Sequence, residues 1–226
     1  LVSTVIGEIL GIDPDSIRVV RPNSLESLPG NSPVGSRMAI MLGGAAARAA
    51  EKLKAKIIAI AAHHLQCDAT SIDYQGGAML SANGRHITWD DIIESAHRQI
   101  HQLPDGMDPG LASFDIMQVP TGGDLPKDGK VHMYPCYSFE FHLVLVAFDP
   151  IIGKPEIRSY TIGHDCGTVI NPAIVSGMTY GGIAHGIGAA LLEEFAYDES
   201  GQLMTQSFLD YLMPSSHEVP DIQLVK

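Results

Sequence analysis

Cysteine is scarce in this sequence. The 226 residues include only Cys67, Cys136 and Cys166, which lie far apart and form no C-x-x-C motif. Neither a disulfide framework, a zinc ribbon nor an iron-sulfur cluster can therefore be built from this chain alone. The scarcity favours a reducing, cytoplasmic setting.

Basic residues are also few. The chain has 14 Lys and Arg against 26 Asp and Glu, which gives a formal net charge of -12. Such a charge disfavours nucleic acid or an anionic membrane surface as the main partner. Residues 1–12 have no basic region and include Glu8, so the sequence predicts no signal peptide.

Apolar residues, by contrast, are plentiful at 45% of the chain. This is enough for a packed core in one large domain or two modest ones. Apolar residues at helical spacing predict a first helix that ends at Gly11, followed by a short strand from Ile17 to Val20. A long Ala-rich helix is predicted from Arg37 to Gln66, with close packing at Gly43 and Gly44.

Short strands and one capped helix are predicted next. The Asn83-Gly84 pair indicates a hairpin within residues 71–88. Thr88 is predicted to cap a helix whose apolar face carries Trp89, Ile92, Ile93 and Ala96. Residues 103–133 hold four prolines and no sustained periodicity, which predicts an exposed connection. We therefore expect a first subdomain over 1–102 and a second over 134–226.

The second subdomain begins with the clearest strand of the sequence, residues 137–148. Its alternation places Phe139, Phe141 and Leu143 on one face and Glu140 and His142 on the other. We expect this strand to be half-buried at first and fully buried at its end. A turn around Gly153 then leads into a second strand at residues 157–162, which completes a hairpin.

Residues 166–192 contain no charged residue and carry six glycines. Asn171, Pro172 and His185 interrupt the stretch, and so many glycines leave too little apolar side chain for a membrane span. The pattern predicts a buried helix with Asn171 as N-cap and Pro172 at the first helical position. The free amides of such a helix end suit a phosphate. An ordinary cap on a glycine-packed core helix is the alternative.

Several short motifs follow one another in a distinctive order. They are Gly35-Ser36-Arg37 before the Ala-rich helix, Asp165-Cys166-Gly167, Asn171-Pro172, the glycine series ending at Glu193-Glu194, Ser207-Phe-Leu-Asp-Tyr211, and Glu218-Val-Pro220. In this combination the chain resembles the molybdopterin-binding part of the large subunit of the molybdenum hydroxylases. That family includes xanthine oxidase, aldehyde oxidase and carbon monoxide dehydrogenase, and the resemblance runs nearly end to end.

The resemblance implies an α+β fold with mixed sheets and long helices. It further implies a bound molybdopterin, commonly as the cytosine dinucleotide, that carries molybdenum. Electrons would leave through [2Fe-2S] clusters and FAD on partner subunits or domains, and the rest of the large subunit would be a further partner. The family's general-base glutamate would lie beyond Lys226, and no residue of this chain is expected to bind the metal.

Six positions are implied as cofactor contacts: Gly35, Ser36, Arg37, Asn171, Val175 and Met178. Arg37 has a surface ion pair with Glu26 as its alternative role. Met178 stands where the family usually has a glutamine that contacts the pterin, and a thioether cannot replace the hydrogen bonds of an amide. Asp165 and Cys166 are expected to fix a turn, with Cys166 as a small buried group.

Other catalytic interpretations are weaker. Ser32 lies in a near miss to G-x-S-x-G, because Val34 replaces the final glycine. His63 and His64 are adjacent on the long helix, which predicts surface positions rather than a metal site. Two functions remain open: a hydroxylase subunit acting on an N-heteroaromatic compound, a purine, an aldehyde or carbon monoxide, or a non-catalytic structural subunit that has lost cofactor contacts.

Overall fold

The computed structural model describes residues 1–21, 23–25, 34–77, 79–118, 128–130 and 136–225. The chain divides into two compact units, Leu1–Pro135 and Cys136–Lys226. Within the described residues, the first unit holds three α-helices and a three-stranded sheet, and the second holds a three-stranded sheet and one long helix. The α+β fold class predicted from the sequence is confirmed, whereas the predicted boundaries at residues 102 and 134 stay predictions.

Helix α1 spans Val2–Leu10 and ends at Gly11, as the sequence predicts. Gly11 has a left-handed conformation with φ 61°, and its backbone N–H donates to the carbonyl of Gly7. A Cβ atom on Gly11 would lie 2.6 Å from the Cα of Gly76, so two backbones touch here. Only glycine meets both demands, the positive φ and the close approach.

The strand predicted at residues 17–20 is wrong. A single helical turn, Pro14–Ser16, is capped by the Asp13 side chain, which accepts from the amide of Asp15. The backbone after it is extended, but residues 17–20 pair with no described strand, and Val19 and Val20 are exposed. Their β-branched side chains favour extended backbone, yet a strand also needs a partner for its hydrogen bonds.

The long helix is confirmed, with a modified start. A wider π-type turn over Ala39–Gly43 leads into helix α2, Gly44–Leu65. The expected close packing occurs at Gly44, where an added Cβ would lie 3.0 Å from Cγ of Met117. Ile57, Ile60 and Leu65 of α2 are buried and form the centre of the first core.

A small antiparallel sheet covers α2. Its strands are β1 (Asp73–Tyr74), β2 (Met79–Ala82) and β3 (Arg85–Thr88), in that order. The predicted hairpin is confirmed, since Asn83 and Gly84 both have positive φ, at 52° and 73°. Leu80 and Ile87 point from the sheet into the core against α2.

Helix α3, Trp89–His97, begins as predicted at Thr88. The Thr88 hydroxyl accepts from the amide of Asp91, and the Asp91 carboxylate accepts from the amide of Thr88. This reciprocal pair is a capping box. Ile92 and Ala96 are buried, but Ile93 is exposed, which corrects the predicted apolar face. Ser95 takes the third buried position because its hydroxyl donates to the Asp91 carbonyl.

Residues 103–118 follow a short helical turn at Ile100–Gln102 and contain no helix or strand. They are nevertheless bonded to α2. Lys56 and Lys52 donate to the carbonyls of Asp108 and Phe114, at 2.7 and 3.2 Å. Asp115 forms ion pairs with Lys52 at 2.7 Å and Arg48 at 3.3 Å, and its side chain is only 5% exposed. The hydrogen bond from Lys52 is the main reason that the pKa of Asp115 is lowered. This half of the predicted exposed connection is therefore part of the first unit and is held against α2.

The second unit contains a mixed sheet of three strands. Strands β4 (Phe139–Asp149) and β5 (Lys154–Asp165) form the predicted antiparallel hairpin, and β6 (Ile222–Val225) pairs with β5 in parallel. The register shifts at Leu145 and Val146, where β4 has an irregularity. Helix α4, Pro172–Leu191, packs on one face of the sheet. The core between them is small: Ile162, Ile183 and Ile187.

The predicted burial of β4 is wrong for the described chain. Phe139, Phe141, Leu143 and Leu145 share one face and are each 62–72% exposed. Alternation correctly assigned the two faces of β4. Helix α4, however, covers part of the other face of the sheet, which carries His142 of β4 and Ile162 of β5. An alternating pattern identifies which side chains share a face, and it does not identify what covers that face.

Candidate functional site

The N-terminus of α4 has the structure that the sequence predicts. Asn171 is the N-cap, and its side-chain Oδ1 accepts from the amide of Ile174 at 3.1 Å. Its backbone carbonyl accepts from the amide of Val175, also at 3.1 Å. Pro172 occupies the first helical position, where no N–H is needed. No acidic residue lies in the first turn, so the partial positive charge of the helix end is not neutralised there.

A tight turn leads from β5 towards this helix end. The Asp165 carboxylate accepts from the amide of Gly167 at 2.9 Å, and Gly167 has a φ of 73°. The predicted turn-fixing role of Asp165 is thus confirmed. Cys166 is exposed, which corrects the expectation of a small buried group. Because the turn is held by Asp165 and Gly167, the thiol between them need not pack in a core.

Asn171, Val175 and Met178 follow one another along the first two turns of α4. Spacings of four and three residues place them on one side of the helix. Val175 is half-buried, whereas Met178 is 69% exposed. The structure therefore brings these three predicted contacts together. It shows the Asn171 cap directly, while a cofactor contact at any of the three stays a prediction.

The glycines of α4 correct another expectation. We predicted a buried helix, with a glycine-packed core helix as the alternative, but only Thr179, Ile183, Ile187 and Gly188 are buried. Added Cβ atoms at Gly177, Gly181, Gly182 and Gly186 would meet no described atom within 4 Å. Gly188 is tightly packed, since an added Cβ there would lie 2.8 Å from Cδ of Pro214, so the helix is open at four of its glycines and packed at this one.

The other three predicted contacts belong to the first unit. Gly35 and Ser36 have successive positive φ values of 73° and 54°, and both are exposed. Arg37 follows them, and its carbonyl accepts from the amide of Met41 as the helical turns begin. The alternative partner Glu26 and the candidate nucleophile Ser32 lie outside the described residues. The structure thus places Gly35, Ser36 and Arg37 together in a strained turn that enters a helix.

One polar network was missed by the sequence reasoning. His142 Nε2 lies 3.3 Å from Glu140 Oε2, and His164 Nδ1 lies 2.8 Å from Glu140 Oε1. Tyr160 Oη lies 2.9 Å from His142 Nδ1. Burial, with a smaller effect of the Glu140 charge, raises the pKa of Tyr160. The signal that could have found this network is the hairpin register, because Glu140 pairs directly with His164.

A metal site and a membrane span are two further possibilities for the described residues. In the described ranges of the chain, no three His, Cys, Asp or Glu side chains are grouped so that they could hold a metal ion. His63 is exposed, while His64 Nε2 lies 2.9 Å from the Ser95 hydroxyl. Among the described helices, none is long and apolar enough to cross a bilayer.

Known proteins resemble this chain along almost its whole length. The sequence model of one protein family, the molybdopterin cofactor-binding domain, matches residues 1–220. The large subunit of nicotine 6-hydroxylase from Paenarthrobacter nicotinovorans is 31% identical over 222 residues, which are 97% of this chain and 26% of the relative. The large chain of carbon monoxide dehydrogenase from Hydrogenophaga pseudoflava is 29% identical over 216 residues, 96% of this chain and 25% of the relative.

Solved structures give the same result. A Cu,Mo carbon monoxide dehydrogenase superimposes with a TM-score of 0.81 and 26% identity, covering 99% of this chain and 26% of that one. Quinoline 2-oxidoreductase from Pseudomonas putida 86 gives 0.80 and 26%, covering 99% of this chain and 27% of that one. The chain spans about a quarter of the length of these relatives. With this fold, and with a family match over residues 1–220, the chain belongs to the molybdopterin cofactor-binding domain family.

Proposed function

We propose that this chain is the molybdopterin-holding segment of the large subunit of a molybdenum hydroxylase. Such an enzyme hydroxylates a carbon centre of an N-heteroaromatic compound, a purine or an aldehyde with oxygen derived from water. The capped N-terminus of α4 is the observation that carries the proposal, since it lies in a chain of this family and is built to face an anion. The hydroxylase and dehydrogenase names of the relatives support it.

The residues at this helix end fit an anionic, phosphate-bearing group. Helix geometry leaves the N–H of Ala173 without an intrahelical acceptor, and Ala173 is exposed. The Asn171 Oδ1 is engaged by the Ile174 amide, which leaves the Nδ2 amide hydrogens as outward donors. Acidic side chains are absent from the first turn. The Ala173 N–H and the Asn171 amide hydrogens are therefore donors with no competing carboxylate in the first turn, as a phosphate or an acidic pterin oxygen requires.

When bound, the molybdenum cofactor supplies the redox chemistry, because it accepts two electrons from the substrate carbon. This chain's own residues bind and orient. Asn171 and Ala173 would donate to an anionic oxygen, and the open surface at Gly177 and Gly181 would let a planar group approach the helix backbone. Val175 and Met178 would supply apolar contact on the same side of α4.

Contacts from Gly35, Ser36 and Arg37 are a further part of the proposal. Gly35 and Ser36 are exposed in the turn that precedes Arg37, and a guanidinium binds phosphate with two parallel hydrogen bonds. We also propose the cytosine dinucleotide form of the cofactor and partner subunits or domains that carry [2Fe-2S] clusters and FAD. A cytoplasmic location is in keeping with the free cysteines at 67, 136 and 166.

One observation favours a second candidate function, a non-catalytic structural subunit. Met178 is 69% exposed on the side of α4 that carries Asn171, and its thioether is at most a weak acceptor. A side chain with this chemistry would hold a pterin less firmly than an amide does. In a structural subunit, α4 would serve only as a capped helix of the fold.

Cofactor release from the native complex tests the proposal. The protein is purified from its own host, denatured, and assayed for molybdenum by mass spectrometry and for pterin by fluorescence after oxidation. We expect both, in amounts equal to the large polypeptide. If the denatured protein releases neither molybdenum nor pterin, the hydroxylase is excluded and the structural role remains. Met178→Gln is the matched variant, because it adds an amide of similar length, and cofactor retention during dialysis should rise if Met178 faces the pterin.

A further inference from the structure

A groove in the second unit lies between α4 and the covered face of the β4–β5 hairpin. Its volume is about 580 Å³. The sheet contributes Val144, Val146 and Ile162, and the helix contributes Ile183 and Ile187. This volume is within the range of small-molecule sites, which are apolar with a few convergent polar groups.

Gly182 and Gly186 keep the groove open on the helix side. Both line it, and an added Cβ at either position would meet no described atom within 4 Å. A larger side chain at these positions would therefore point into free space rather than into the core. The groove owes its width to the absence of side chains at two helix positions.

The polar part of the groove consists of Glu140, His142 and Tyr160, which line it together. A carboxylate can only accept, so the imidazole N–H groups of His142 and His164 donate to the two oxygens of Glu140. With its Nε2 protonated, His142 accepts at Nδ1 from the Tyr160 hydroxyl. The raised pKa of Tyr160 keeps that hydroxyl protonated.

This assignment determines what the groove can still bind. Each carboxylate oxygen retains a lone pair, and so does the phenolic oxygen of Tyr160. The donors of His142 and Tyr160 are already used within the network. Among the described residues that line the groove, none is Lys or Arg. The remaining polar atoms are acceptors around one negative charge, so a complementary ligand has to donate and benefits from a positive charge.

We propose that this groove binds a small apolar organic cation, an amine on an aromatic or aliphatic body. Its nitrogen donates to Glu140 and Tyr160, and its body lies along the valine and isoleucine floor beside Gly182. The groove adjoins the proposed cofactor surface of α4, because Met178 also lines it, but its remaining polar atoms are acceptors whereas the capped end of α4 offers donors. It does not depend on the proposed function, since the groove is formed by β4, β5 and α4 alone.

Direct binding to the full-length protein in its native complex tests this site. The probe is 1-naphthylmethylamine, followed by its fluorescence at about pH 8, above the usual titration range of histidine and below that of an amine. Two probes of matched shape serve as controls, the neutral 1-naphthalenemethanol and the anion of 1-naphthoic acid. We expect the amine to bind about tenfold more tightly than the alcohol, as one charge-assisted hydrogen bond implies. The acid should not bind.

Two variants locate the site. Glu140→Gln keeps the size of the side chain and removes its charge, and it should abolish the preference for the amine. Gly182→Leu should block all probes, whereas Ala189→Leu, at an exposed α4 position that does not line the groove, should leave binding unchanged. The proposal is wrong if no probe binds, if the three probes bind alike, or if binding survives Gly182→Leu. Circular dichroism and the molybdenum content of each variant show whether it has folded and whether the cofactor site is affected.

Discussion

Asn171 can be used to separate the structural role of the α4 cap from a role in binding. In Asn171→Ala the Ile174 amide loses its acceptor, the Asn171 Oδ1 that lies 3.1 Å away. Loss of an N-cap side chain costs about 1 kcal/mol of helix stability. A loss of this size should raise amide exchange about fivefold in the first turn of α4.

Asn171→Asp and Asn171→Ser make the test selective. Both keep an oxygen that can accept from the Ile174 amide, and Asp adds a favourable interaction with the helix dipole of about 0.3–1 kcal/mol. Neither variant weakens the helix. Asp, however, places a negative charge where we propose an anionic group, and neither side chain retains the amide donor of Asn171.

Two measurements on the same samples give the answer. Hydrogen exchange by mass spectrometry reports the first turn of α4, and metal analysis reports molybdenum per polypeptide. If α4 faces the cofactor, Asn171→Asp loses most of its molybdenum with normal exchange protection, and Asn171→Ser loses less. Equal molybdenum in Asn171→Asp and the unaltered protein would refute the reasoning, and the cap would then be a structural feature only.

Three further predictions concern the first unit. Ile60→Ala, at a fully buried position in the centre of the core, should destabilise the unit by about 2–5 kcal/mol in thermal or urea unfolding. Gly11→Ala should lower the stability of the unit far more than Gly84→Ala, although both glycines have positive φ. The new Cβ at position 11 would lie 2.6 Å from the Cα of Gly76, whereas the new Cβ at position 84 would contact nothing within 4 Å. Similar melting temperatures of the two variants would contradict this prediction. Burial and, to a smaller extent, the neighbouring imidazole lower the pKa of His64, so the unfolded state binds its proton first and stability should fall as the pH drops below about 6.5. His64→Gln should reduce this loss between neutral and mildly acidic pH, and an unchanged pH profile would exclude His64 as its source.

Much of the fold could be predicted from local patterns. The end of α1 at Gly11, the Asn83-Gly84 hairpin, the Thr88 cap and the Asn171 cap were all predicted correctly. In each case the residues that determine the conformation are close in sequence, so the local chemistry is sufficient. Residues 17–20 failed because a strand requires a distant partner, which no local pattern supplies.

The candidate site was predictable in part for the same reason. The cap at Asn171 and the turn at Asp165 rest on hydrogen bonds between residues two or three apart. The network of Glu140, His142 and Tyr160 joins residues as far as 18 apart, and it becomes visible only when the register of the hairpin is known. That register places Glu140 of β4 directly opposite His164 of β5.

The two errors in burial have a common cause. Phe141 and Leu143 of β4 and the uncharged helix α4 were predicted to be buried, yet they are largely exposed in the described chain. Composition reflects every surface that a side chain meets in the working protein, and large apolar patches mark surfaces that other segments or subunits cover. The chain spans about a quarter of the length of the relatives it matches. An apolar pattern therefore predicts that a face is suited to being covered, whereas its burial depends on whether another element packs on it, and the sequence pattern of β4 and α4 carries no information on that second element.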